Sequence, residues 1–212
     1  MKRIVTIIAL GLAAAVMSAQ TPKNVRYFFT EASDLNLIGK IIEDTPNPYH
    51  RVDTVRFKGF TKGENKKVRY SSGLAVLFKT NSTTISVRCE YGENALPVSS
   101  TMITIKGFDL YIKDGKEWKY AAAGVNKEEK ENANLVLIRN MDGKEKECML
   151  YLPLYSEVNS LQIGVQEGAC INALESPFRH RIGIFKQNAL FFDILFVKQS
   201  FFFCRKHISA VD

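Results

Sequence analysis

Three histidines, His50, His180 and His207, are the side chains of this sequence best suited to act as a general base. Hydrolysis by a serine nucleophile needs such a base beside a serine on a tight turn, an acid that orients the base, and donors for the oxyanion. No Gly-x-Ser-x-Gly segment occurs in the chain. We therefore assign no catalytic residue, and we expect His50 and His180 to be structural or surface residues.

Three aromatic side chains, Tyr111, Trp118 and Tyr120, lie on two neighbouring segments of alternating character. Exposed on one face, they would form a stacking platform for a sugar ring; packing in the core or at a domain interface is the commoner role of such residues.

Asp109 also has two interpretations. Its carboxylate could face a neighbouring domain or a glycan, or it could accept hydrogen bonds from local backbone N–H groups.

The first residues have the organisation of a cleaved secretory signal peptide. Met1–Arg3 is followed by an apolar run, Ile4–Met17, and by Ser18–Gln20, so cleavage is expected after Ala19. An apolar run of about 14 residues is too short to cross a bilayer. We therefore predict a signal peptide over residues 1–19, a periplasmic or secreted protein, and no stable membrane span.

Four cysteines, Cys89, Cys148, Cys170 and Cys204, are too widely spaced for a zinc site, since no two lie within five residues of each other. In an exported protein they can form a disulfide bond, or they can remain buried free thiols. The sequence indicates no metal site and no cofactor.

The charge of the chain is modestly positive. There are 29 lysines and arginines and 22 aspartates and glutamates, a net charge of +7, and removal of Lys2 and Arg3 leaves 27 against 22, or +5. The basic residues lie at turns or alternate along segments, so they do not form a stripe that could follow a phosphate backbone. Nucleic acid is therefore not expected as a partner.

Short apolar segments separated by turn residues predict an all-β protein, a jelly-roll-like two-sheet β-sandwich over residues 47–176 after a lead-in over 20–46. The lead-in holds a short element at Leu35–Ile42, with Asp34 as a possible helix N-cap. Strands are expected near Val52–Phe57, Leu74–Phe78, Ile85–Cys89, Met102–Ile105, Phe108–Ile112, Trp118–Tyr120, Leu135–Arg139, Cys148–Leu152 and Leu161–Val165.

The composition changes after the sandwich. A linker and one strand are assigned to residues 177–185, and a tail unlike the rest of the chain to residues 186–212. Six of the 14 phenylalanines lie in this tail, and residues 187–204 contain no glycine or proline to form turns. The six are Phe191, Phe192, Phe196, Phe201, Phe202 and Phe203.

The segment Gly107-Phe108-Asp109-Leu110-Tyr111 resembles the Gly-x-Asp-Leu-Tyr motif of the non-catalytic N-terminal domain of secreted SGNH (GDSL-like) hydrolases. The resemblance extends over about residues 47–185 and includes Tyr49–Val52, Ser72–Ser82 and Leu152–Tyr155. It implies a domain that precedes the catalytic domain of an esterase or deacetylase. The partners that it implies are that C-terminal domain and acylated glycans.

The resemblance also implies what should follow. In the family, the strand that resembles Ile182–Phe185 runs into Gly-Asp-Ser or Gly-Ser-Ser, which carries the nucleophile, whereas this chain has Lys186-Gln187-Asn188. The family's Asp-x-x-His pair is also absent, because none of the three histidines has an aspartate three residues before it. We therefore expect an accessory domain truncated before its catalytic domain and without catalysis, and we hypothesise a reading-frame shift near codon 186. The alternative is a free-standing glycan-binding module.

Overall fold

The computed structural model describes residues 25–40, 42–95, 100–126 and 132–178. Within these residues there are ten strands, two short α-helices and one 3₁₀ turn at Ala32–Asp34. The strands are β1 (Tyr27–Glu31), β2 (Asn36–Ile38), β3 (Ala75–Thr80), β4 (Ile85–Asn94), β5 (Phe108–Asp114), β6 (Glu117–Gly124), β7 (Ala133–Ile138), β8 (Lys146–Tyr151), β9 (Ser156–Gln166) and β10 (Ile171–Ala173). The helices are α1 (Lys62–Val68) and α2 (Met102–Lys106). The signal peptide, the strand expected at Ile182–Phe185 and the 186–212 tail lie outside the described residues.

The strands form two antiparallel sheets. One sheet has four strands in the order β1-β9-β4-β7. The other has six strands: β10-β3-β8-β5-β6 in order, with β2 also paired to β3. The all-β two-sheet sandwich predicted from the sequence is confirmed.

The core lies between the two sheets because alternate residues of each strand point inward. On the four-stranded sheet the inward residues include Ile85, Val87, Leu161 and Ile163, and on the six-stranded sheet they include Val76, Phe78, Phe108, Leu110 and Leu150. All nine of these side chains have no measurable exposure to solvent. Such a core fixes the register of both sheets, because a slip of one residue would turn these side chains outward.

The strand predicted at Val52–Phe57 is wrong. The Asp53 carboxylate accepts hydrogen bonds from the N–H groups of Val55 and Arg56, at 2.9 and 3.0 Å, and closes a turn. Val55 is 71% and Phe57 40% exposed, so the alternation of these two residues does not mark a buried face. The local aspartate bonds compete with strand pairing and prevail here.

The helix α1 follows this turn. Thr61 caps it through a reciprocal pair of bonds with Glu64, the Ser/Thr-x-x-Glu capping box. At its other end Arg51, which is buried, donates to the carbonyls of Lys67 and Tyr70 at 2.6 and 2.9 Å. This contact holds the 47–60 loop against the sandwich.

Two further element predictions are wrong. The segment Met102–Ile105 was expected as a strand, but it forms α2, in which the carbonyl of Thr101 accepts from the N–H groups of Thr104 and Ile105. The lead-in was expected to hold a short element with Asp34 as a possible helix N-cap, but Asn36–Ile38 pairs with β3 as a strand. Both segments are short enough for tertiary contacts to decide their conformation.

Candidate functional site: the tyrosine surface

The motif segment alternates between the two faces of the six-stranded sheet. Phe108 and Leu110 point into the core and are fully buried, whereas Asp109 and Tyr111 lie on the opposite, outer face. The apolar positions of the motif therefore support the fold. Its two polar positions are the ones available for contacts beyond the sandwich.

Gly107 joins α2 to β5 at a position that has no space for a side chain. Its N–H donates to the carbonyl of Ile103 at 2.9 Å, and an added Cβ would lie 2.1 Å from that same oxygen. Its φ of −79° is ordinary, so the requirement for glycine comes from close packing and not from backbone conformation.

The outer face next to Asp109 carries three tyrosines, and we call Asp109, Tyr111, Tyr120 and Tyr151 the tyrosine surface. Tyr111 lies between the other two rings, with centroids 5.8 Å from Tyr120 and 5.6 Å from Tyr151, both in edge-to-face geometry. Tyr120 is 61% exposed and Tyr151 is 36% exposed. Edge-to-face contacts hold the rings in place while they remain accessible.

Asp109 lies beside Tyr151 of β8 and Ala123 of β6 in the strand register. It is exposed, yet partial desolvation by these neighbours raises the pKa of its carboxyl above the ordinary value. Among the described residues none donates a hydrogen bond to it, so the local backbone bonding expected of this aspartate is not found. The carboxylate instead remains open to a partner outside the sandwich.

Trp118 does not take part in the tyrosine surface. It is 9% exposed and packs with Ala75, Leu77 and Met149 in a second apolar cluster on the same outer face. Of the two roles considered for Trp118, packing and stacking on a sugar, the structure shows packing. Tyr151, which the sequence analysis did not select, takes its place beside Tyr111 because β8 lies next to β5.

The residue that follows β10 packs on this same face. After β10, Leu174 joins the apolar cluster around Trp118, its N–H donates to the carbonyl of Leu77 at 3.3 Å, and its own carbonyl accepts from Asn36 at 2.8 Å. Leu174 therefore ties the end of β10 to the outer face of the six-stranded sheet.

His50 is part of a network of charged side chains away from the tyrosine surface. Its Nε2 lies 2.8 Å from Oε1 of Glu157, and Arg69 bridges Glu157 and Glu93 at 3.5 and 2.8 Å. The hydroxyls of Ser71 and Ser72 donate to the backbone carbonyls of Pro153 and Leu154. These contacts give His50 a structural role; His180 lies outside the described residues.

We predict that His50 makes stability depend on pH. Burial lowers its pKa below the ordinary value, and the opposing effect of Glu157 does not outweigh it. The unfolded chain therefore binds a proton at higher pH than the folded one, so stability is lost as the pH falls from the unfolded pKa, about 6.5, towards the lower folded pKa. Urea unfolding between pH 8 and 5 should show that the free energy of unfolding falls more steeply with decreasing pH for the wild type than for His50→Gln. Equal slopes for the two proteins would contradict this role of His50.

The described cysteines, Cys89, Cys148 and Cys170, are free thiols, and Cys204 lies outside the described residues. Burial raises the pKa of Cys148 to about 12 and raises that of Cys89 as well. Neither thiol is therefore a nucleophile at neutral pH. Within the described ranges no three His, Cys, Asp or Glu side chains are grouped to hold a metal ion, and no helix has the length and hydropathy to cross a membrane.

Comparisons with known proteins agree with the motif. A family model, the GxDLY N-terminus of SGNH-hydrolase-type esterases, matches residues 25–171. The chain is similar to a solved structure from Bacteroides ovatus ATCC 8483, provisionally named a GDSL-like lipase, with 37% identity and a TM-score of 0.68. It shares its fold with the salicylyl-acyltransferase SsfX3 from a tetracycline biosynthetic pathway, with 20% identity and a TM-score of 0.53. A search of curated proteins found no match.

The chain spans less than half the length of both solved proteins. The similarity covers 73% and 72% of this chain, but 45% and 43% of theirs. Because the family model covers well over half of the sequence and includes the Gly107–Tyr111 motif, the chain belongs to the family of GxDLY N-terminal domains of SGNH-hydrolase-type esterases.

Proposed function

We propose that this chain is the accessory domain of a periplasmic or secreted SGNH-type hydrolase, and that its tyrosine surface packs against the catalytic domain. The whole protein would act on acyl esters, with acetylated carbohydrates as the substrate class. The observation that carries the proposal is that the tyrosine surface and Leu174, the residue after β10, lie on one face of one sheet. A domain that follows β10 would reach this face without crossing the sandwich.

The chemistry of the surface favours a protein partner. Aromatic rings with a polar tip are enriched at protein interfaces, because one side chain supplies both apolar area and a hydrogen bond. The neighbouring strands partly exclude water from the Asp109 carboxyl, and this desolvation raises its pKa. An arginine or a backbone N–H of the partner would complete this site.

A chimera tests the docking directly. Residues 25–178 would replace the matching portion of the Bacteroides ovatus protein, and calorimetry would follow thermal unfolding. We expect one cooperative transition, and we expect Tyr120→Glu to separate it into two or to lower its midpoint by several degrees, since a charge would be buried at the interface. Phe28→Glu, on an exposed side chain of the other sheet, is the matched control. Equal behaviour of the two variants would refute the docking face.

The purified chain by itself is expected to release no 4-nitrophenol from 4-nitrophenyl acetate above the buffer rate. The hydroxyls of Ser71 and Ser72 donate to backbone carbonyls and His50 is paired with Glu157, so none of the three is arranged as a nucleophile and its base. Ser71→Ala and Ser72→Ala should therefore match the wild type. Turnover that either substitution removed would show that the chain is an enzyme in its own right.

The second candidate is the free-standing glycan-binding module. The exposed ring of Tyr120 favours it, but Trp118, the third ring of the expected stacking platform, packs in the apolar cluster instead. Tyr111 and Tyr120 remain as possible glycan contacts. The ring of Tyr111 is inclined at 77° and 76° to those of Tyr120 and Tyr151, so the tyrosines offer less flat area for a sugar than three coplanar rings would.

A further inference from the structure

The solvent face of the four-stranded sheet carries a line of polar side chains that crosses all four strands. Glu31 of β1 pairs with Gln162 of β9, Gln162 with Arg88 of β4, and Arg88 with Asn134 of β7. Directly paired residues of an antiparallel sheet point to the same side. We call these four the polar row; with strands about 4.8 Å apart, it extends over about 14 Å.

An aromatic ring lies beside the polar row. Phe29 leans across β9 over Gly164, where an added Cβ would meet Ser86 Oγ at 2.3 Å and Phe29 Cε1 at 2.6 Å. The guanidinium of Arg88 stacks on this ring, with its central carbon 3.7 Å from the centroid. Gly164 thus provides the space in which the ring lies, and the ring holds the guanidinium in a fixed plane.

The hydrogen-bonding groups of the polar row are largely unused within the described part of the chain. Gln162 donates one hydrogen bond to Glu31. The amide oxygen of Gln162 and the second carboxylate oxygen of Glu31 can still accept hydrogen bonds from a ligand. Arg88 forms no ion pair with a described residue, and the Asn134 amide has no hydrogen bond to one. Arg88 and Asn134 are exposed and Glu31 and Gln162 are half-buried, so each of the four has contact with solvent.

We propose that the polar row and Phe29 form a binding site for an uncharged oligosaccharide. Neighbouring sugar hydroxyls both donate and accept, and planar carboxylate, amide and guanidinium groups match such pairs with two parallel bonds. Positive and negative charges are balanced along the row, by Arg88 and Glu31, which favours a neutral ligand over a polyanion. A protein partner is disfavoured because the rings of this face, Phe29 and Tyr27 with centroids 6.1 Å apart, both lie on the edge strand β1, whereas a protein interface has its apolar residues at the centre.

This site is on the opposite sheet from the tyrosine surface, so it goes beyond the proposed docking and does not depend on it. The two sheets would have separate tasks: the six-stranded sheet would contact the catalytic domain, and the four-stranded sheet would hold the carbohydrate to which the ester is attached. The carbohydrate as substrate class rests on the proposed function; the binding of sugar by the polar row does not.

Titration calorimetry of the full chain with xylohexaose, cellohexaose and mannohexaose tests the site. We expect binding of at least one of the three sugars, and we expect Arg88→Ala and Gln162→Ala each to weaken it about tenfold or more, through lost charge-assisted or paired hydrogen bonds. Arg88→Lys should also weaken binding, because it keeps the charge and loses the planar donors. Thermal midpoints of all variants should stay near that of the wild type, since the altered side chains lie on the solvent face.

Tyr120→Ala is the matched control, because it changes the tyrosine surface and leaves the polar row intact. It should bind the sugar like the wild type. Binding of none of the three sugars would overturn the proposal, and so would binding that Arg88→Ala and Gln162→Ala leave unchanged or that Tyr120→Ala removes. The chimera experiment is unaffected by any of these results, so failure of this site and failure of domain docking can be told apart.

Discussion

Replacing Phe108 by alanine is expected to destabilise the domain by about 3–5 kcal/mol, a large share of the roughly 5–15 kcal/mol by which an ordinary domain is stable. The ring has no exposure and packs among Leu110, Leu150 and other core residues between the two sheets. Removal of the ring loses its transfer free energy and leaves a cavity that two paired sheets cannot close. Urea unfolding followed by circular dichroism gives the free energy directly.

Phe28→Ala is the matched control for this substitution. The same side chain is deleted from a strand, but Phe28 is 60% exposed at the edge of the four-stranded sheet. We expect its free energy of unfolding to change by no more than about 0.5 kcal/mol. A small effect of Phe108→Ala, close to that of the control, would mean that the motif phenylalanine is not a core residue.

Replacing Gly107 by alanine is expected to destabilise the domain by roughly 2–3 kcal/mol, the upper range for overpacking. The added methyl would occupy the position of the Ile103 carbonyl oxygen, and a backbone group of a helix end cannot move aside as a flexible side chain can. Either α2 loses its last hydrogen bond or β5 shifts from its register with β8. Thermal and urea unfolding would both report the loss.

Gly63→Ala provides the comparison. Gly63 lies in α1 with no atom within 4 Å of an added Cβ, so alanine there should be neutral or stabilise the protein by up to about 1 kcal/mol. A pair of glycine substitutions with opposite signs would separate the packing requirement at Gly107 from the general entropy of glycine. Equal effects at the two sites would contradict the close contact with Ile103.

The strands that the sequence predicted correctly are those whose alternation reports burial on one face. Ile85, Val87 and Cys89 alternate with Ser86 and Arg88, and the structure buries the first set in the core. The predictions failed where a local contact or a tertiary contact prevailed over the pattern. Asp53 closes a turn through its side chain, and α2 is only five residues long.

The candidate sites were harder to predict because each combines residues distant in the sequence. Asp109 and Tyr111 could be selected from the motif, but Tyr151 joins them only because β8 lies beside β5. The polar row depends on the register of four strands, from Glu31 to Asn134, and single side chains in it look like ordinary surface residues. No spacing along the chain marks such a row.

The strands β2 and β10 have a further consequence, for how the sandwich is protected from self-association. They lie end to end along one side of β3, β2 opposite Ala75–Leu77 and β10 opposite Phe78–Thr80, while β8 occupies the other side. The most apolar strand of the sheet therefore has no open edge on which another copy could add a strand. A fragment that began at residue 47 would lack β2 and would expose half of that edge of β3. The lead-in therefore reduces the tendency of the domain to aggregate through this edge.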